Sequence, residues 1–117
     1  MTELINIALA LVSIGLGGFG WLAPRYTLET LDLQTKGEST MGVSEIRASA
    51  GALFVGLGLG AIFFGTPTAY AMMGFAWAGA AIGRVTSILR DEAPTRKTYV
   101  FAAIEIAVAA LLLAINL

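Results

Sequence analysis

Residues 46–65 read IRASAGALFVGLGLGAIFFG, and they contain a single charge, Arg47, at the start. This stretch decides the fold. A helix of this length matches the roughly 20 residues needed to cross about 30 Å of hydrocarbon. Working outward, three more apolar blocks of similar length occupy residues 4–22, 68–89 and 99–117. Little remains outside the four spans. The sequence therefore predicts one transmembrane domain over residues 1–117, an all-α integral membrane four-helix bundle. The composition agrees: 57% of residues are hydrophobic and only 13% charged, against about a quarter charged in soluble domains.

The connectors carry helix stop and start signals. Trp21 and Tyr26 suit an interfacial aromatic belt, and Pro24 ends the first span or opens a short interfacial turn. Between Arg25 and Val43, Leu28, Leu31 and Leu33 alternate with Glu29 and Asp32. That pattern fits a short amphipathic surface helix or a solvated loop. Ser44 is the expected N-cap of the second span. Gly65 suits its C-terminal end, and Thr66 and Pro67 suit the cap and first position of the third. Met1-Thr2-Glu3 lacks the basic character of a signal peptide, so the first block is expected to stay as a mature helix.

Cations set the expected orientation. Arg25, Lys36, Arg47, Arg84, Arg90, Arg96 and Lys97 all fall in, or nearest to, the 25–43 and 90–97 segments. With four spans these two segments share one side. The positive-inside rule puts them in the cytoplasm and both termini on the non-cytoplasmic side.

Helices in lipid associate mainly through close packing and polar contacts, which favours small residues at their interfaces. On the second span Ala48, Ala52, Gly56 and Gly60 recur every fourth position, with Gly51 and Gly58 on a neighbouring face. Gly79 and Gly83 repeat the spacing on the third, and Ala103, Ala107, Ala110 and Ala114 line the fourth. The first span carries Gly15, Gly17, Gly18 and Gly20 toward its cytoplasmic end. These positions are expected to pack the bundle, with a face left over for copies of the chain or partner subunits as the second reading.

Intramembrane charge is the best functional lead, because each such residue costs a few kcal/mol near the bilayer centre. Arg84 and Glu105 sit at similar distances from the charged connector, both on the order of 9 Å deep. An ion pair is the natural expectation. Arg84 shares a face with Trp77 and Met73, and Glu105 with Ala102, Ala109, Leu112 and Asn116. Arg47 lies shallower. One reading is a structural pair that fixes register. A second is a cytoplasm-facing pocket of Arg47, Arg84, Glu105 and Trp77, backed by Phe54, that holds an anionic lipid headgroup or small anion. A third is an ion or proton pathway through Glu105. Asn6 and Asn116 are expected near the outer surface, where their amides can bond across helices.

The sequence has no cysteine and no histidine. That removes the usual ligands for zinc, haem and copper, and no metal or other cofactor is expected. No catalytic triad, paired intramembrane carboxylates or phosphate-binding glycine loop occurs. With net charge −1 and no basic stretch, nucleic acid is not an expected partner.

Glu45-Ile46-Arg47-Ala48 leading into Gly51 and Gly56-Leu57-Gly58, then Gly83-Arg84, Asp91 and Pro94, resemble a family of small bacterial four-helix membrane proteins. That family is catalogued as a domain of unknown function and is loosely similar to DoxX-like proteins. The resemblance spans nearly the whole chain. It implies the four-helix fold and the bacterial inner membrane, draws attention to Arg47, Gly51, Gly83 and Arg84, and carries no established activity. The expected function is therefore non-enzymatic: an accessory or assembly subunit, or a homo-oligomer, acting through helix contacts within the bilayer.

Overall fold

The computed structural model describes residues 1–117. It is all-helical, with α1 Thr2–Leu22, α2 Pro24–Thr30, α3 Met41–Phe64, α4 Pro67–Arg90 and α5 Arg96–Asn116. Four of these, α1, α3, α4 and α5, are long and apolar enough to cross a membrane.

Local chemistry explains the boundaries. Pro24 is the first residue of α2, where its fixed φ suits a helix start, and its ring and Leu28 are buried. Asp32 ends this helix in the left-handed region at φ 59°. The Leu33 amide then donates to the Leu28 carbonyl at 2.8 Å and the Asp32 amide to Glu29 at 3.1 Å, a Schellman closure with Asp in the place of glycine. The 25–43 segment is thus part helix and part loop.

The second span begins earlier than the sequence predicts. Met41 is its first residue, and its amide donates to Ser39 Oγ at 3.1 Å. Ser44 already lies inside the first turn, its amide bonded to the Thr40 carbonyl, so it is not the cap. Residues Ala48–Ala52 form a π-turn. The extra residue rotates the face that follows by roughly 100°. At the far end Gly65 adopts φ 63°, a conformation that glycine enters without a Cβ clash. Thr66 Oγ1 then accepts from the Ala69 amide at 3.2 Å and Pro67 opens α4. Thr95 caps α5 through reciprocal bonds with Thr98.

The chain forms two compact units, Met1–Asn6 with Phe64–Leu117, and Ile7–Phe63. In the second unit α1 and α3 run antiparallel along a seam of small residues. Ala10, Ser13, Gly17 and Gly20 are all buried on α1, opposite Gly51, Phe54, Gly58 and Ala61 on α3. Both rows follow 3-4-3 spacing. The backbones touch: a Cβ added at Gly17 would lie 2.6 Å from the Gly51 carbonyl oxygen, and one at Gly58 2.6 Å from that of Ala10. One at Gly20 would collide with the Ala50 carbonyl. Ser13 Oγ donates to the Phe54 carbonyl at 2.9 Å within this seam.

Within this unit the seam runs beside the four-residue row rather than along it. Ala48, Ala52 and Gly56 are exposed and Gly60 is half-buried, and no atom comes within 4 Å of a Cβ at Gly56 or Gly60. Of the α3 positions singled out for packing, only Gly51 and Gly58, the two off the four-residue row, are buried. A row stepping by four drifts about 40° around the helix at each step. Alternating steps of three and four average 3.5 and stay against a nearly antiparallel neighbour.

The first unit pairs α4 with α5. Tyr70, Gly74, Trp77 and Ala81 are buried along α4, and Ala102, Ala109 and Leu112 along α5. A Cβ at Gly74 would come within 3.0 Å of Leu112 and Leu113, so Gly74 is the glycine of close approach here. Gly79 and Gly83 are exposed with open space before them, and Ala103, Ala107, Ala110 and Ala114 face outward. Asn6, which is 4% exposed, joins this unit through Asn116. Each amide donates to the other, at 2.9 and 2.7 Å.

Candidate functional site

Arg84 leaves α4 about two turns before its end and meets Glu105 on α5. Nε donates to Oε1 at 2.9 Å and Nη2 to Oε2 at 3.0 Å. Two parallel bonds match the fork of the guanidinium to the carboxylate, the strongest form such a pair takes. The Glu105 side chain is 12% exposed and that of Arg84 33%. Phe101, one turn before Glu105, places its ring 5.5 Å from the guanidinium carbon, within cation–π range. Both carboxylate oxygens are therefore engaged and one face of the cation is covered by an aromatic ring. Trp77 is buried two turns before Arg84 on the same side of α4. Chemically the arrangement ties α4 to α5 at a fixed register.

Arg47 belongs to the other unit and takes a backbone partner. Its Nη1 donates to the Trp21 carbonyl at 2.6 Å. Carbonyls in the last turn of a helix lack an amide donor from the same helix, so Arg47 caps the C-terminal end of α1, where a cation also suits the helix dipole. Arg47 and Arg84 thus each have an oxygen partner within their own unit.

Beside Arg47 lies an open groove of about 470 Å³. Trp21 and Arg47 line it together with the hydroxyl-bearing Thr40 and Ser44; Val43, Ala48 and Ala52 supply its apolar surface. Thr40, Ser44, Ala48 and Ala52 recur every four residues, so one side of α3 and its approach forms the wall. No three carboxylates gather into a set that could hold a metal ion.

A family model described as a domain of unknown function (DUF4345) matches residues 1–116. The chain belongs to that family. No curated protein and no solved structure matches this DUF4345 chain. The matched region contains the Arg84–Glu105 pair and the Arg47 groove.

Besides Thr40 of the groove, Phe101, Ser13 and the Trp21 carbonyl of this DUF4345 chain are absent from the sequence reading. Phe101 precedes Glu105 by four residues, and that spacing alone could have placed it on the same face. Ser13 has a signal in its 3-4 spacing from Ala10 and Gly17. The Trp21 carbonyl has none, because every residue carries one.

Proposed function

We propose that this protein acts through helix contacts, without chemistry of its own, as an accessory or assembly subunit of a membrane complex or as a homo-oligomer. The observation that carries this reading is a set of four glycines, Gly56 and Gly60 on α3 and Gly79 and Gly83 on α4, that face open space. Close contacts within the chain use other glycines, Gly17, Gly20, Gly51, Gly58 and Gly74. Glycine in a membrane helix lets a second backbone approach, and these four are left for a helix from outside the chain. The pairing of Arg84 with Glu105 supports the same reading, since it assigns the intramembrane charges a structural role.

In this reading the four long helices cross a bacterial inner membrane. The 25–43 and 90–97 segments lie in the cytoplasm and both termini lie outside. The distribution of the seven cations supports that orientation.

Purification from native membranes in a mild detergent tests the proposal. The expected particle contains more than one chain, or this chain with a membrane partner. A strictly monomeric particle with nothing bound contradicts it.

A further inference from the structure

We infer that the groove beside Arg47 holds the phosphodiester of an anionic glycerophospholipid. The inference is independent of the helix-contact reading, because it uses Trp21, Thr40, Ser44 and Arg47 rather than the open glycines.

The groove changes character along its length. Thr40 and Ser44 bring hydroxyls, Arg47 brings the charge, and Ala48 and Ala52 follow with methyl groups further into the span. A phospholipid has the same order: charged phosphate, then glycerol, then hydrocarbon. Trp21 stands beside the cation, and tryptophan favours the headgroup level of a bilayer. About 470 Å³ falls within the usual range for small-ligand sites, and the open side suits a ligand whose tails stay in the membrane.

Arg47 is prepared for an anion. One of its five N–H donors is fixed on the Trp21 carbonyl, which orients the planar group and lowers the entropy lost on binding. The remaining donors match phosphate oxygens. No carboxylate lines the groove. The nearest in sequence, Glu45, accepts from Ser49 Oγ at 2.8 Å. With one cation and no anion, the groove offers nothing to the positive end of a zwitterionic headgroup, so an anionic lipid is favoured.

The test titrates the whole protein in neutral detergent with dioctanoyl phosphatidylglycerol, dioctanoyl phosphatidylcholine and soluble glycerol 1-phosphate, counting bound molecules by native mass spectrometry. The expected result is one phosphatidylglycerol per chain, held about tenfold more tightly than phosphatidylcholine, as a charge-assisted bond implies. Arg47→Gln should remove that preference and Arg25→Gln should keep it. Because Arg47→Gln also alters the α1 cap, Thr40→Val/Ser44→Ala provides a second variant that leaves the cap in place; it should weaken phosphatidylglycerol about threefold. Equal binding of the two lipids, or an unchanged preference in folded Arg47→Gln and in the double variant, overturns the inference. Displacement of the lipid by an equal concentration of glycerol 1-phosphate also overturns it, since the site would then read a free phosphate ester.

Discussion

Arg84 and Glu105 join α4 and α5 by two parallel hydrogen bonds, 2.9 and 3.0 Å long, while Phe101 covers one face of the cation. Removing one partner leaves a charge in a region poorly supplied with water. Arg84→Met or Glu105→Leu should each lower unfolding stability in micelles by about 2–3 kcal/mol, somewhat below the 3–5 typical of fully buried pairs, because Arg84 is partly exposed. The double replacement should recover most of the loss. Denaturant unfolding of the three variants measures the cycle.

At Gly20 and Gly51 the α1–α3 seam has no room for a side chain. Gly20→Ala and Gly51→Ala place a methyl against backbone rather than against a movable side chain. Each should cost about 3 kcal/mol, the upper end of ordinary overpacking. Gly56→Ala meets open space and should be neutral or stabilising by about 0.5–1 kcal/mol, the intrinsic helical advantage of alanine. Thermal unfolding of the three proteins separates the two classes.

Asn6 and Asn116 satisfy one another, and Asn116 also donates to the Leu112 carbonyl at 2.8 Å. Asn6→Ala should cost about 1–2 kcal/mol, since Asn116 then loses both bonds to the facing helix and keeps only the one to Leu112. Asn6→Leu/Asn116→Leu should be less damaging than either single change. The same unfolding assay reports it.

The chain has no cysteine, so single introduced thiols report sidedness without background. Gln34→Cys and Glu92→Cys should react from the cytoplasmic side of sealed vesicles, and Thr68→Cys from the opposite side. Labelling of the first two from opposite faces would remove the four-span orientation.

The parts of this fold that were legible in the sequence are those set by composition and local chemistry. Twenty-residue apolar blocks fix the long helices, and Gly65-Thr66-Pro67 marks the tight turn because each residue meets a distinct local demand. Counting residues from the connector puts Arg84 and Glu105 at one depth, and the structure joins them. The seam was not legible. The four-residue row from Ala48 to Gly60 is more conspicuous than the 3-4 row of Gly51, Phe54, Gly58 and Ala61. Which row packs depends on the partner helix and on the π-turn at Ala48–Ala52, and neither leaves a local mark. Arg47 was readable as a cation near the rim, but its acceptor is a main-chain oxygen on another helix. That oxygen, together with the hydroxyls of Thr40 and Ser44, turns an isolated charge into a lined groove.

The most direct measurement places leucine at Gly79 and Gly83 in one variant, and at Gly56 and Gly60 in another, and determines the mass of the natively extracted particle. A Cβ at any of these four positions meets no atom within 4 Å, so both variants should remain folded and helical. At least one should release the single chain from its assembly. A parent protein that is already a lone chain, or two leucine variants that both retain the full assembly, would contradict a role in helix contacts.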